Sequence, residues 1–201
     1  LEYDFNDFLL MPPAYYYKNT DEGVFNFYSS IISEIPKIKV ILYNFEKLSG
    51  YKFSEEAVKK LVKAFPKNII GCKDSGYNLF ENLKIPNFLM FPGSEAKLLK
   101  GLELGCSGCI SAVTNVTHKL ARQVFDDFED GKKQTVNDKL IEVRETFDQY
   151  NLISALHTFI SVNDNKFKNI LPPLVLLSQD RQKELLTKLK TLEFVQKRKA
   201  A

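Results

Sequence analysis

The sequence predicts an α/β fold in which a parallel sheet is followed by a block of helices. Short apolar runs alternate with amphipathic stretches through the first half of the 201 residues. This strand–helix alternation, repeating about every twenty to thirty residues, indicates βαβ units and a parallel sheet. The runs are apolar throughout, which is typical of strands that are buried on both faces. The five candidate strands are residues 8–11, 39–43, 69–72, 88–91 and 109–113.

Caps and apolar spacing mark the helices between these strands. Residues 21–34 have a helical pattern, and Ser54 is a plausible N-cap for a helix that ends at Pro66. Two shorter helices are expected at 78–84 and 95–104. The second of these is closed by Gly105, a residue type that readily adopts the left-handed conformation of a helix C-cap.

Beyond Asn115 the pattern is helical only. The expected helices are residues 118–130, 133–150, 152–162 and 179–195. A complete barrel of eight β/α units takes about 250 residues, which is more than this chain offers beside a helical block. Five units therefore indicate either an open parallel sheet or the C-terminal part of a barrel, and the pattern alone leaves both open.

Composition excludes several classes of function. Hydrophobic residues make up 44% and charged residues 26%, as in ordinary globular proteins. A net charge of +3, with the basic residues spread out apart from the short run 197–199, gives no footprint for nucleic acid. No apolar run approaches the roughly 18 residues of a membrane span. Three cysteines and an acidic first segment without signal-peptide features favour a reducing, cytoplasmic location.

Lys73 is the residue that most suggests chemistry. It directly follows an apolar strand, and active sites of parallel α/β folds gather where strands end. A partly desolvated lysine can offer a neutral amine, the nucleophile that forms Schiff bases with carbonyl substrates. Tyr43 ends the preceding strand, and a phenol beside an amine can carry protons. From spacing alone, a surface or ion-pairing lysine is the commoner alternative.

Five segments together resemble one known family. Residues 42–50 (LYNFEKLSG) are similar to a "YN-x-P-x-x-TG" segment, and residues 71–76 (GCKDSG) to a Schiff-base segment "G-x-K-[DE]-[ST]-S-G". Residues 13–23, 105–115 and 172–174 are similar to "PYY-x-K-P-x-x-EG", "GA-x-G-x-IS-x-x-x-N" and a late "RPPL" turn. These motifs, in this order, are those of the dihydrodipicolinate synthase / N-acetylneuraminate lyase superfamily.

The resemblance implies a (β/α)8 barrel (TIM barrel) with extra C-terminal helices. On that frame the chain would hold strands four to eight, with residues 1–130 in the barrel and residues 131–201 in a helical extension. Family members are usually homotetramers, built as dimers of dimers, and need neither metal nor cofactor.

The resemblance also implies a class I aldolase, which is a carbon–carbon lyase that binds pyruvate or another 2-oxo acid as a lysine imine. Lys73 would be the imine lysine and Tyr43 the proton-relay tyrosine. Tyr16 would match the tyrosine that reaches a neighbouring subunit's site. The expected substrate-binding residues are Gly93, Ile110 and Ser111.

Two departures from the family pattern bear on the substrate. Leu48 stands where dihydrodipicolinate synthases carry an arginine for the carboxylate of their semialdehyde, which weakens that reading. The segment around Leu48 also suits N-acetylneuraminate lyases and sugar-acid aldolases, so the aldehyde partner stays open among the three.

The family's "G-T-T-G-E" segment, whose threonines bind the pyruvoyl carboxylate, does not occur in the sequence. We therefore expect the working enzyme to be longer, with a non-catalytic 2-oxo-acid-binding protein or an inactive truncated chain as the alternative.

Overall fold

The chain contains two separate hydrophobic cores. The computed structural model describes residues 5–15 and 18–195. The first unit comprises the residues up to Gly93 together with Lys100–Ile110, and the second comprises Ser94–Leu99 and the residues from Ser111 onward.

The first unit is built on a parallel sheet, as the sequence predicts. Its four strands lie in the order β1-β2-β3-β4, and each pairs in parallel with its neighbour. The strands are β1 (Asp7–Leu10), β2 (Lys39–Asn44), β3 (Ile69–Asp74) and β4 (Leu89–Pro92). Strand ends that carry Tyr43 and Lys73 are therefore neighbours in the sheet.

Helices cover one face of this sheet. The helices are α1 (Asp21–Glu34), α2 (Glu46–Ser49) and α3 (Glu55–Ala64). The hydroxyl of Ser54 accepts a hydrogen bond from the N–H of Ala57, which confirms the predicted N-cap of α3. Side chains of α1 and α3 share one core with the strand residues Leu42, Cys72 and Met90.

The other face of the sheet is more open. Leu9 on β1 is 41% exposed and Leu89 on β4 is 39% exposed. Successive side chains of a strand point to opposite faces, and register partners share a face, so these residues lie on the face that also carries Tyr43 and Lys73. The expectation that every strand is buried on both faces is therefore wrong for β1, where residues 7–9 are exposed.

Two predicted elements are absent from the described residues. Residues 109–113 do not form a strand, although the N–H of Ser107 bonds to Met90 and that of Ile110 to Pro92 on β4. Residues 78–84 form turns rather than a helix, because the N–H groups of Leu79 and Phe80 donate to the Asp74 carboxylate. At residues 78–84, the carboxylate thus outcompetes the local helical pattern for backbone hydrogen bonds.

A short helical segment follows β4. Glu95–Lys97 is a 3₁₀ turn and α4 (Leu98–Glu103) continues it. Gly105 then turns the chain with a φ of 84°, in the left-handed region that the sequence assigned to it.

The second unit is helical, as expected beyond Asn115. Its helices are α5 (Thr114–Glu129), α6 (Asn137–Asp148), α7 (Leu152–Ser161) and α8 (Gln179–Thr191). Val143, Phe147 and Phe159 form its core together with Leu185 and Leu189. Within the described part of the chain, no helix combines the length and the apolar character that crossing a bilayer requires.

The two leucines Leu61 and Leu48 offer a matched test of the first core. Leu61 is 1% exposed and Leu48 is 54% exposed. We expect Leu61→Ala to lower the free energy of unfolding by about 2–5 kcal/mol, since it removes packed methyl groups and leaves a cavity. Leu48→Ala should change it by less than about 0.5 kcal/mol. Urea titrations followed by circular dichroism measure both, and equal losses would contradict the assignment of Leu61 to the core.

Candidate active site

Lys73 and Tyr43 face each other at the carboxyl ends of β3 and β2. They are register partners in the parallel ladder, and Phe91 on β4 is the next partner of Lys73. Partners in a parallel ladder point to the same face of the sheet, so the three side chains form one row. Lys73 is only 9% exposed.

The Lys73 amine lies over an aromatic ring. Its Nζ is 4.0 Å from the centroid of the Tyr43 ring, which is cation–π geometry. The Phe45 ring stacks on that of Tyr43, with the two ring centroids 6.0 Å apart and the planes inclined by 29°. Among the ion pairs of the described residues, none includes Lys73. The amine thus meets a ring face rather than a carboxylate, which leaves it available to a substrate.

Asp74 lies on the opposite face and is fully buried. Its Oδ1 accepts from Nδ2 of Asn44 at 2.7 Å and from the N–H of Gly76 at 3.1 Å. Its Oδ2 accepts from the N–H groups of Leu79 at 2.8 Å and Phe80 at 3.0 Å. The Asp74 carboxylate thus organises the turns that follow β3, where no helix begins.

Asn44 uses its whole side-chain amide. Besides Asp74, its Nδ2 donates to Oδ1 of Asn78 at 2.8 Å, and its own Oδ1 accepts from the N–H of Phe53 at 3.1 Å. Asn78 in turn donates to the carbonyl of Phe53 at 2.9 Å. Directly behind Tyr43 and Lys73, the two strand ends are therefore joined by a buried polar network.

Gly93 and Ile110 lie at the neighbouring end of β4. The N–H of Gly93 donates to the carbonyl of Asp74 at 2.9 Å, and that of Ile110 to the carbonyl of Pro92 at 3.2 Å. A Cβ atom on Gly93 would overlap the hydroxyl of Ser75 and come within 2.8 Å of its Cβ. Glycine is needed at position 93 because the two chain segments approach so closely.

Ser111 belongs to the second unit, where it takes part in a buried charged network. Its hydroxyl donates to Oε2 of Glu95 at 2.5 Å and accepts from Nη1 of Arg144 at 2.8 Å. Glu95 is fully buried and also bonds to Arg144 at 3.1 Å and to Thr117 at 2.9 Å. Neither Glu95 nor Arg144 is singled out in the sequence analysis, and the two lie 49 residues apart along the chain.

The charge of Arg144 is held by its carboxylate neighbours. Burial opposes the charge, but hydrogen bonds to Asp148 and the negative charges of Glu95 and Asp148 outweigh it and raise the pKa of the guanidinium. The spacing of Arg144 and Asp148, four residues apart on α6, is the only part of this arrangement that the sequence pattern could have indicated.

Tyr16, the expected cross-subunit tyrosine, falls outside the described residues. Cys72 and Cys106 are buried in the first core, and burial raises the pKa of each thiol above its ordinary value. These thiols therefore act as small core residues and are poor nucleophiles.

The comparisons with known proteins decide the family. The profile of the dihydrodipicolinate synthetase family matches residues 3–192, nearly the whole chain. The chain belongs to this family. Its motifs had implied the same assignment, and the parallel α/β fold agrees with solved structures of this family.

Several relatives carry names of enzymes. A 4-hydroxy-tetrahydrodipicolinate synthase of Archaeoglobus fulgidus is 27% identical over 203 residues, covering 93% of this chain and 66% of the relative. A relative with the same name from Hydrogenobaculum sp. is 36% identical over 117 residues, covering 56% of this chain and 40% of the relative. A 2-dehydro-3-deoxy-D-gluconate/2-dehydro-3-deoxy-phosphogluconate aldolase of Picrophilus torridus is 25% identical, covering 83% of this chain and 64% of the relative. The family's named relatives are thus lyases.

Solved structures show the same fold. Dihydrodipicolinate synthase from Agrobacterium tumefaciens superposes with a TM-score of 0.82 at 23% identity, over 95% of this chain and 67% of that one. A prophage protein of the family from E. coli K12, in complex with pyruvate, gives 0.83 at 22% identity, over 94% and 67%. The chain spans 40% and 66% of the length of its relatives from Hydrogenobaculum and Archaeoglobus.

The Glu95–Arg144 pair yields a stability prediction with a matched control. Arg144→Ala leaves the buried Glu95 carboxylate without its cation, so we expect a loss of about 3–5 kcal/mol in the free energy of unfolding. Arg122 pairs with Asp126 on the exposed surface of α5, and Arg122→Ala should leave the urea midpoint nearly unchanged. Comparable losses in the two variants would show that the Arg144 pair is no more important than a surface pair.

Proposed function

We propose that the chain carries the imine-forming centre of a class I aldolase, a carbon–carbon lyase acting on pyruvate or another 2-oxo acid. The observation that carries this proposal is the nearly buried Lys73 amine over the face of Tyr43, at adjacent strand ends. The amine of a nearly buried lysine, with no carboxylate partner among the described residues, is suited to attack a carbonyl carbon. Names of the relatives, which are synthases and aldolases, support the same reaction class.

In the proposed reaction the neutral amine of Lys73 attacks C2 of the 2-oxo acid and forms a carbinolamine. Protonation of the carbinolamine hydroxyl releases water and leaves the C=N bond of an imine. In a substrate with a hydroxyl at C4, a base takes the hydroxyl proton and the C4–O bond becomes the aldehyde carbonyl, while the protonated imine accepts the electron pair of the breaking C3–C4 bond and becomes an enamine. Protonation of the enamine at C3 gives the imine of pyruvate, and its hydrolysis returns the amine. The same steps in reverse make the bond. The imine itself stores the electron pair, so the proposal requires no cofactor or metal.

Tyr43 is proposed to carry the protons of these steps. Its ring already contacts the Lys73 amine, so its hydroxyl is carried by a side chain next to the atom that would bond to the substrate. Gly93, Ile110 and Ser111 are proposed to bind the substrate, and Tyr16 to assist from a neighbouring subunit.

We propose that the aldehyde partner carries no carboxylate that the side chain of residue 48 would have to bind. Leu48 is an exposed neutral side chain where dihydrodipicolinate synthases carry an arginine. This favours a sugar-acid or N-acetylneuraminate-type aldolase over a 4-hydroxy-tetrahydrodipicolinate synthase. The aldolase name of the Picrophilus relative supports this choice, whereas the names of the Archaeoglobus and Hydrogenobaculum relatives favour the synthase.

We further propose how the chain fits the family's barrel. The four strands would take the places of barrel strands four to seven, with residues 109–113 in place of the eighth. Residues 1–130 would belong to the barrel and residues 131–201 to the helical extension. The active form is proposed to be a cytoplasmic homotetramer, a dimer of dimers, which includes the carboxylate-binding threonines of the family.

Borohydride trapping tests the nucleophile. Pyruvate is mixed with the protein, the imine is reduced, and peptide masses are measured; we expect a reduced pyruvoyl adduct on the peptide that contains Lys73. Lys73→Arg keeps a long polar side chain, but its guanidinium cannot form the imine, so its adduct should be absent, while Lys63→Arg on the exposed surface should trap as the wild type does. An adduct on the Lys73→Arg protein would refute the assignment. Pyruvate binding without any adduct, on a folded wild-type chain, would favour the non-catalytic binding protein.

Tyr43→Phe tests the proton relay. The ring and its contact with the amine stay, but the hydroxyl is lost, so imine formation should slow by roughly 10²–10⁴-fold. The rate of adduct formation, measured by quenching with borohydride at successive times, gives this ratio. A rate equal to that of the wild type would assign proton transfer to another group.

A further inference from the structure

We propose that Asn44 and Asp74 are positioning residues, which hold the Tyr43 ring against the Lys73 amine through a buried hydrogen bond on the opposite face of the sheet. The inference rests on the proposed function, because it assigns the two residues a role in imine formation. Neither side chain touches the reacting atoms in this scheme, so their effect passes through the two strands.

The geometry of the ladder connects the two faces. Tyr43 pairs with Lys73 and Asn44 pairs with Asp74, so the reactive pair and the hydrogen-bonded pair are consecutive rungs. Successive residues point to opposite faces, so the Asn44–Asp74 bond locks the strands directly behind the amine and the ring. Any slip or rotation of one strand end that separates Tyr43 from Lys73 must break this 2.7 Å bond.

The anchor at Asp74 is rigid because its buried carboxylate accepts four hydrogen bonds. Three of the four donors to its carboxylate are backbone N–H groups, of Gly76, Leu79 and Phe80. Asp74 is fully buried, and no ion pair among the described residues includes it. These fixed dipoles take the place of water around the charge, and leaving one oxygen short of a donor in such a site is costly.

The side chain of Asn44 is likewise held in place by hydrogen bonds. Both N–H bonds of its amide and its carbonyl oxygen are engaged, and the residue is fully buried. Backbone hydrogen bonds also join the strand ends here. The N–H of Ser75 donates to the carbonyl of Asn44 at 2.9 Å, and the N–H of Gly93 donates to the carbonyl of Asp74. The side-chain bond therefore ties together the segment that carries the nucleophile and the segment that carries the relay.

Asn78 supplies a matched control within the same network. Its amide bonds to Asn44 and to the carbonyl of Phe53, so Asn78→Ala also removes a partly buried amide and two hydrogen bonds. It leaves the Asn44–Asp74 bond in place. A general loss of stability should therefore appear in both alanine variants, whereas a loss of position should appear only in Asn44→Ala.

A spectroscopic measurement reports the position without any substrate. Aromatic ring currents move nuclei that lie over a ring face to high field, so the ε-methylene of Lys73 should give a high-field signal in protein labelled with ¹³C at the lysine ε-carbon. Its absence in Lys73→Arg assigns the signal, which separates it from that of Lys60 over the Phe25 ring. We expect Asn44→Ala to lose the high-field shift and Asn78→Ala to keep it.

The same variants are then compared by pyruvate trapping. At saturating pyruvate, Asn44→Ala should form the Lys73 adduct at least about tenfold more slowly, since misplacement by a fraction of an ångström is expensive for an oriented reaction. Asn78→Ala should trap close to the wild-type rate. If circular dichroism shows that Asn44→Ala does not fold, Asn44→Ser replaces it, because serine keeps a polar group near Phe53 but is too short to bond to Asp74.

The outcomes separate the two proposals. A retained high-field signal in Asn44→Ala, or an equal loss of trapping in Asn78→Ala, overturns the positioning role. Absence of any pyruvate adduct in the wild type overturns the proposed function. In that case the lysine signal alone decides whether Asn44 and Asp74 hold the ring and the amine together.

Discussion

The register between β2 and β3 is the constraint on which the candidate site depends. It places Tyr43 opposite Lys73 and, one residue later, Asn44 opposite Asp74. A slip by one residue would move the amine to the helix-covered face and Asp74 to the open one. Hydrophobic burial resists that slip, because Leu42 and Cys72 are fully buried on the helix-covered face.

The two faces of the sheet carry different tasks in consequence. The helix-covered face holds the core and a fully hydrogen-bonded polar network, which supplies rigidity. The open face holds an amine, aromatic rings and partly exposed leucines. Because side chains alternate along a strand, two neighbouring residues of each strand contribute to different faces: Tyr43 and Lys73 to the open face, Asn44 and Asp74 to the helix-covered face.

Local patterns predicted the parts of the fold that depend on local forces. The helix at Asp21–Glu34 and the Ser54 cap follow from spacing and capping, and both are present. The turn at residues 78–84 could not be predicted in this way, because its N–H groups bond to a carboxylate that precedes them on a strand.

The same limit applies to the candidate site. Lys73 and Tyr43 stand out because each ends an apolar strand, and family motifs contain both. The Arg144–Glu95 pair joins residues far apart in sequence and has no periodic signal. The contact of the amine with the Tyr43 ring face likewise could not be predicted from the sequence, because the register between the strands and not the spacing of the residues sets it.

Close packing at Gly93 bears on how this scaffold could be re-engineered. Any side chain there would collide with Ser75, two residues after Lys73, so a library that varies position 93 would mostly disturb the segment that follows Lys73. Leu48 is exposed, and its side chain can be exchanged without displacing a packed neighbour. Under the proposed aldolase function, a search for altered aldehyde preference is therefore best directed at position 48, with position 93 kept invariant.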